Sequence, residues 1–194
     1  MSDLRESVIA SVRRGLTHTP EPIQLASGVW TRDFIDGKAA LKRGRDLGDA
    51  CRAMIALAED LRVEFDAVGG LTLGADQFAH VIAYIRDDLM RIDTEWLVVR
   101  TKAKGRGTNK VIEAAELDAS VRVLLVDDVV TSGGSIRQAY DEIRKTGATV
   151  TGAITLVDRG ETAANFFHEV GVPYGALVTY KDLNIDPVGG LVDA

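Results

Sequence analysis

The segment Val121-Arg-Val-Leu-Leu-Val-Asp-Asp-Val-Val-Thr-Ser-Gly-Gly-Ser135 decides the fold of this chain. It opens with six mostly apolar residues rich in β-branched side chains, a pattern typical of a strand that is buried on both faces. Asp127 and Asp128 follow. Because an unpaired buried carboxylate is costly, we expect the two acids to mark the carboxyl end of that strand, at the rim of a sheet.

A short loop of hydroxyl residues and glycines follows the two acids. The hydroxyl groups can donate to an anion, and the glycines let the backbone approach a ligand closely. The amphipathic helix that comes next, with Gly147 as its stop signal, points the positive end of its dipole at the same place. Phosphate suits this turn, and the acids can accept hydrogen bonds from neighbouring sugar hydroxyls. The segment therefore predicts a sugar-phosphate site.

The complete order of this segment resembles the motif with which type I phosphoribosyltransferases bind phosphoribosyl pyrophosphate (PRPP). Two competing phosphate motifs, GxxxxGK[ST] and a GxGxxG between a strand and a helix, do not occur in the sequence. The resemblance implies an α/β fold with a mostly parallel sheet flanked by helices. It also assigns the PRPP-binding residues of this segment, which are Asp127, Asp128, Val129, Val130, Thr131, Ser132, Gly133, Gly134 and Ser135.

Composition predicts one soluble domain. The chain has 194 residues, of which 46% are hydrophobic and 27% charged, with a net charge of −6 that argues against nucleic acid as a default partner. We expect a single domain over 1–194, with an N-terminal helix and cover in 1–43, a core in 44–180 and a tail in 181–194, of which the last ten or so residues are expected to be loosely held. No signal peptide or membrane span is evident, which favours a cytoplasmic location. Cys51, the single cysteine, is expected to be a core thiol.

The N-terminal region predicts a helix followed by a small cover. Residues 3–16 have apolar side chains at helical spacing, and the sequence His-Thr-Pro-Glu-Pro after them is expected to break the chain. Residues 23–36 are interrupted by turn signals and predict a hairpin or strand pair with its turn near Ser27 and Gly28. A cover of this kind, placed before the main sheet, could close over a site.

A second glycine-rich segment follows a short predicted strand at Phe65. Glycines 69, 70 and 74 surround Thr72 and precede another amphipathic helix. Glycines between a strand and a helix can form no more than a tight turn, but they can also cradle an anion. Type I phosphoribosyltransferases use a loop at this place for the pyrophosphate of PRPP, and the resemblance assigns that role to Gly70 and Thr72.

The basic segment from 101 to 110 follows the predicted strand Glu95–Arg100. It could be a solvated hairpin tip, but it also suits a mobile lid that neutralises a leaving pyrophosphate. It resembles the lid of orotate phosphoribosyltransferases, with matches at Arg100, Lys104 and Gly107, and with Arg106 where a histidine is usual. The resemblance implies that Arg100, Lys104 and Arg106 bind pyrophosphate, that Lys104 is catalytic together with the acidic pair, that Mg²⁺ is the cofactor, and that a homodimer shares its lids.

Arg159 follows the strand predicted at 149–157. At the end of a strand an arginine commonly pairs with a surface carboxylate. In orotate phosphoribosyltransferases, however, the arginine of this Asp-Arg pair contacts the base, so Arg159 and Thr131 are the predicted base-binding residues. The match is weaker in the cover, where Ala26 replaces a lysine and Asp33 stands near a position that is usually aromatic.

The sequence as a whole favours a Mg²⁺-dependent transfer of the phosphoribosyl group from PRPP to orotate. No metal ligand is assigned to a protein side chain, and no nucleic-acid or membrane partner is expected. Two alternatives stay open, namely a phosphoribosyltransferase for a different base and a PRPP-sensing transcriptional regulator without catalytic activity. The regulator would need a DNA-binding surface, and neither a helix-turn-helix nor a basic arm is evident.

Overall fold

The computed structural model describes residues 2–25, 28–102 and 110–188. The strands are β1 (Leu16–Gln24), β2 (Trp30–Ile35), β3 (Ala67–Leu71), β4 (Glu95–Val99), β5 (Ile112–Ala114), β6 (Arg122–Val130), β7 (Thr149–Asp158) and β8 (Tyr174–Thr179). The helices are α1 (Ser2–Arg14), α2 (Gly37–Ala40), α3 (Gly44–Asp60), α4 (Asp76–Tyr84), α5 (Gly134–Arg144), α6 (Thr162–Glu169) and α7 (Tyr180–Leu183), and a π-helical turn (Ile85–Leu89) continues α4.

The main sheet has six strands in the order β5-β4-β3-β6-β7-β8. Neighbouring strands are parallel except β5, which is antiparallel to β4. Alternate residues of β6 enter two different cores: Leu124 and Val126 pack with α1, α3 and α4, whereas Val123 and Leu125 pack with α5 and α6. The predicted α/β architecture is therefore confirmed, with the apolar run at its centre.

The N-terminal cover is a two-stranded antiparallel sheet, as the sequence predicts, but it is longer than expected. β1 begins at Leu16, so the prolines expected to break the chain lie inside a strand. The register of β1 and β2 shifts between His18 and Ile23, and an edge strand with such an irregularity tolerates residues that lack an N–H donor. Gly28 has φ +85°, as a turn requires, while Ala26 and Ser27 lie outside the described residues.

The tail is held more firmly than the sequence predicts. Thr179 and Asp182 form a reciprocal capping box at the start of α7. Val188 is buried, and its N–H donates to the Arg159 carbonyl at 2.6 Å. Ile185 and Val188, at the start of the stretch expected to be loose, are thus held against the fold, whereas residues 189–194, the larger part of that stretch, lie outside the described part of the chain. Among the described residues, no helix is long and apolar enough to cross a bilayer.

Cys51 lies in the core on α3, as predicted, and is fully buried. Burial raises the pKa of its thiol to about 12, because the thiolate would lose its hydration. The native protein is therefore expected to resist a thiol reagent at pH 8 and to release one reactive thiol per chain on unfolding in urea. Fast labelling of the native protein would contradict this placement of Cys51.

Candidate functional site

The carboxyl ends of β3, β6 and β7 lie side by side, because these strands are adjacent and parallel. This edge brings together three features that are far apart in the sequence: the acidic pair with its loop, the segment around Thr72, and Arg159. Ligand sites of parallel α/β sheets lie at this edge. The structure therefore brings the candidate residues of these three segments together at one edge of the sheet.

The loop between β6 and α5 has the backbone geometry that the predicted anion-binding turn would need. Gly133 adopts a left-handed conformation with φ +74° and caps α5 without any side-chain hydrogen bond. The first amides of α5 thus lack partners within the helix and face a cavity of about 280 Å³. The cavity is lined by Asp127, Val129, Val130, Thr131, Ser132, Gly133, Gly134, Ser135 and Ile136.

The two acids differ in environment. Asp127 is 5% exposed and its carboxylate accepts the N–H of Asp128 at 3.0 Å. Burial, and next the charge of Asp128, raise the pKa of Asp127 to about 7. The Asp128 carboxylate accepts a hydrogen bond from the Val129 N–H at 2.7 Å and forms an ion pair of 3.1 Å with Lys38.

The acids were expected to end the strand, and this is wrong. β6 continues to Val130, whose partner in β7 is Asp158. A carboxylate without partners would be costly inside a strand, but backbone N–H groups of the same strand satisfy one oxygen of each of these two acids.

The second glycine segment begins later than predicted. Gly69 and Gly70 lie inside β3, where a Cβ at Gly70 would overlap with the Val126 carbonyl of β6. Gly70 therefore permits close packing of two strands, and its prediction as a loop residue is wrong. The loop starts at Thr72, whose hydroxyl donates to the Asp76 carboxylate at 2.8 Å.

Gly74 brings this loop against the acidic pair. A Cβ at Gly74 would overlap with Asp127 Oδ1 and lie 3.0 Å from Asp128 Oδ1. The sequence singles out Gly74 as a cradle glycine, but it gives no sign that the residue faces the two acids. The candidate pyrophosphate loop and the candidate ribose acids thus form one continuous surface.

Replacing Gly74 with alanine is expected to push the loop away from Asp127 and to weaken PRPP binding by at least about tenfold, because the added methyl group has no space. Calorimetric titration with PRPP measures the effect. Gly44→Ala is a matched control, since a Cβ at Gly44 would meet nothing within 4 Å. Unchanged PRPP affinity in Gly74→Ala would contradict the contact.

Arg100 lies just beyond β4, and its guanidinium forms an ion pair of 2.9 Å with Glu113 of β5. β5 was not predicted, because three residues carry little pattern. It makes the basic segment the connection between two antiparallel strands. Lys104 and Arg106 lie outside the described residues, so their predicted roles stay predictions.

Arg159 is 1% exposed, and the N-terminal cover holds it. Its Nη1 donates to the Asp33 carbonyl at 2.7 Å, and its Nη2 lies 3.4 Å from Thr31 Oγ1. Its Nε is buried without a hydrogen-bond partner among the described residues. Burial lowers the pKa of Arg159, and the charge of Asp33 opposes that shift. The structure thus joins the predicted base-binding arginine to the cover.

A buried polar network next to Asp127 escaped the sequence analysis. The Tyr174 hydroxyl donates to Asp158 at 2.7 Å and lies 3.1 Å from the Thr155 hydroxyl, and Thr155 is the register partner of Asp127. Burial raises the pKa of both Asp158 and Tyr174. Tyr174 begins a strand near the end of the chain, and no sequence signal links it to the site.

Comparison with known proteins identifies the family. The model of the phosphoribosyl transferase domain matches residues 40–168. This range contains both loops, the basic segment and Arg159, and it begins just after the cover. The chain belongs to this family.

Individual relatives agree with that assignment. The chain is 32% identical over 189 residues to an orotate phosphoribosyltransferase of Streptomyces avermitilis, covering 96% of this chain and 100% of the relative. It is 34% identical over 159 residues to an orotate phosphoribosyltransferase of Nostoc, covering 82% and 75%. The Mycobacterium tuberculosis orotate phosphoribosyltransferase crystallised with PRPP superposes with a TM-score of 0.72 at 27% identity, covering 94% of this chain and 93% of the other.

Proposed function

We propose that this protein transfers the phosphoribosyl group of PRPP to orotate, giving orotidine 5′-monophosphate and pyrophosphate. The observation that carries the proposal is the cavity at the end of β6, where an acidic pair, hydroxyl groups and the first turn of a helix meet. The names of the relatives and the PRPP complex of the mycobacterial enzyme support the choice of substrates.

In the proposed complex, Asp127 and Asp128 accept hydrogen bonds from the ribose hydroxyls. The 5′-phosphate lies against Thr131 to Ser135 and the amides that begin α5, where the helix dipole favours an anion. The loop at Thr72, together with Arg100, Lys104 and Arg106, neutralises the pyrophosphate. Arg159 and Thr131 contact the base.

The proposed reaction needs no covalent intermediate with the protein. A ring nitrogen of orotate gives up its proton to solvent and forms the new bond to C1 of the ribose. The bond from C1 to the pyrophosphate oxygen breaks with oxocarbenium character, and pyrophosphate leaves with its electron pair. The negative charge that develops on pyrophosphate is neutralised by the cations of the basic segment, among which Lys104 matters most as the leaving group departs. Catalysis comes from alignment and charge stabilisation.

Mg²⁺ fits this site as a companion of PRPP. Within the described residues, no three or more side chains of His, Cys, Asp or Glu lie together as a metal-binding group. Mg²⁺ at phosphate sites keeps water and takes substrate oxygens as ligands, so it needs no dedicated protein cage. When bound, the ion would neutralise charge on the pyrophosphate, and no described side chain is assigned as its ligand.

A homodimer whose basic segments reach the partner's site is part of the proposal, as is a cytoplasmic location. Large apolar side chains are exposed along the π-helical turn and the start of β4, namely Leu89 at 56%, Met90 at 39%, Ile92 at 42% and Trp96 at 41%. A second copy would bury them. Light scattering measures the mass of the particle. Mixing the Lys104→Ala and Asp127→Asn variants tests whether the basic segment serves the partner's site. If it does, a mixed dimer has one site with both residues intact and regains activity; if it does not, both sites stay defective.

A panel of bases tests the proposed function. The protein is incubated with PRPP, Mg²⁺ and, in separate reactions, orotate, uracil, adenine or hypoxanthine, while pyrophosphate release is measured. We expect release with orotate alone. Turnover of another base, but not of orotate, would favour a phosphoribosyltransferase for a different base. The contact of Arg159 with Asp33 in the cover is the observation that motivates this alternative. Binding of PRPP without any turnover would reject the enzyme.

A further inference from the structure

We propose that Lys38 is a positioning residue of the phosphoribosyl site, which orients Asp128 and keeps the acidic pair charged so that both carboxylates accept hydrogen bonds from ribose. This inference rests on the proposed function of the same site. Lys38 belongs to α2, outside the residues matched by the family model, and its sequence context carries no motif.

The backbone of α2 lies directly against the acidic pair. Gly37 is buried, and a Cβ there would stand 3.4 Å from Asp128 Cβ and 3.3 Å from Val129 Cγ2. Asp36 fixes the start of this short helix by accepting the Ala39 N–H at 2.9 Å. The next residue after Gly37 is therefore placed within reach of Asp128, and Lys38 Nζ lies 3.1 Å from Asp128 Oδ2.

The acidic pair needs a counter-charge. Two adjacent carboxylates lie at the end of β6, and one of them, Asp127, is almost fully buried. Among the described residues, Lys38 is the one cation that forms an ion pair with either of them. An opposite charge within about 4 to 6 Å favours the ionised form of a carboxyl group.

Within the part of the chain that the structure describes, Lys38 is the one cation whose charge acts on Asp127. Tyr174 of β8 is close enough to Asp127 to be affected by its charge: burial, Asp158 of β7 and Asp127 all raise the pKa of Tyr174. Two further acids lie in the neighbouring segments: Asp76 at the start of α4 accepts the Thr72 hydroxyl, and Asp36 before α2 accepts the Ala39 N–H. The pKa of Asp127 is raised by burial and by Asp128, while Lys38 acts in the opposite direction. Removing Lys38 therefore raises the pKa of Asp127 further.

The exposed position of Lys38 allows a role in PRPP recognition to be distinguished from a role in folding stability. Its side chain is 53% exposed, so its removal leaves no cavity, and an exposed ion pair contributes little to folding stability. A protonated Asp127, in contrast, has one acceptor oxygen fewer for the ribose. The expected defect is thus a loss of PRPP recognition that grows as the pH falls.

The test compares Lys38→Met, Lys38→Arg and the control Lys42→Met. Lys42 lies four residues further along, on the rim of a different cavity with Arg14 and Asp46. For each variant, kcat/KM for PRPP is measured from about pH 5 to about pH 9, and PRPP affinity is measured by calorimetry without base. The KM for orotate and the melting temperature are recorded alongside.

We expect Lys38→Met to move the acidic limb of the profile upward by about 0.5 to 1 pH unit and to weaken PRPP binding about 5- to 10-fold at pH 7. Lys38→Arg restores both quantities, and Lys42→Met matches the wild type. A uniform loss of activity with an unmoved limb, or no loss, overturns the role of Lys38 while turnover by the wild type upholds the proposed function. A wild type that neither binds PRPP nor turns it over overturns both.

Discussion

Asp127→Asn is expected to lower kcat/KM for PRPP about 10- to 100-fold, since a hydrogen bond to a charged group contributes about 1.5 to 3 kcal/mol. The same substitution is expected to stabilise the ligand-free protein at neutral and alkaline pH. Both effects have one cause, because Asp127 is buried where its charge has no cationic partner of its own. Its carboxylate serves the ligand at the expense of the fold.

The direction of the stability effect follows from the raised pKa of Asp127. Burial raises the pKa of Asp127 from 3.8 in the unfolded chain to about 7 in the fold. The folded state therefore binds this proton more tightly, and the favourable contribution present below pH 4 is lost as the pH rises towards 7. Asparagine stays neutral throughout, so its advantage grows over that window and reaches about 2 to 4 kcal/mol above it.

Urea unfolding of the wild type and Asp127→Asn at pH 5 and pH 8.5 measures this difference. Asp128→Asn is the matched control, because Asp128 is more exposed and already has Lys38 as a partner. It is expected to lose activity without gaining stability. Equal unfolding free energies for wild type and Asp127→Asn at both pH values would contradict the buried charge at Asp127.

The parts of the site that the sequence predicted are those with a local pattern. The strand, the acidic pair, the hydroxyl-glycine loop and α5 follow one another within the range 121–144, so periodicity and turn chemistry suffice to place them. The position of the site also follows from the sequence, because successive parallel strands must end at the same edge. These features depend on neighbours in the chain.

The contacts that complete the site join residues far apart in the sequence. Lys38 meets Asp128 across 90 positions, and Arg159 meets Asp33 across 126. Gly74 packs against Asp127 through the absence of a side chain, which no motif encodes. The sequence could name most of these residues as candidates, but their partners depend on how the cover folds over the sheet.

Arg159→Ala is expected to raise the KM for orotate about 100-fold while changing the KM for PRPP less than about threefold. A guanidinium binds a planar anion through two parallel charge-assisted hydrogen bonds, and losing them leaves the base without its main anchor. Among the described residues Nε of Arg159 has no hydrogen-bond partner, and Nη2 has only the 3.4 Å approach to Thr31 Oγ1, so these two donors form the edge proposed to take the base. Arg159→Lys keeps the charge but loses the fork, so it should recover little.

Arg159→Ala also releases the cover, because Nη1 of the arginine no longer donates to the Asp33 carbonyl. Thr31→Ala separates the two consequences, since it removes the hydroxyl that Nη2 approaches and leaves the guanidinium in place. It is expected to change the KM for orotate by less than about fivefold. If Arg159→Ala instead raises both KM values equally and lowers the melting temperature, Arg159 fastens the cover and another residue recognises the base.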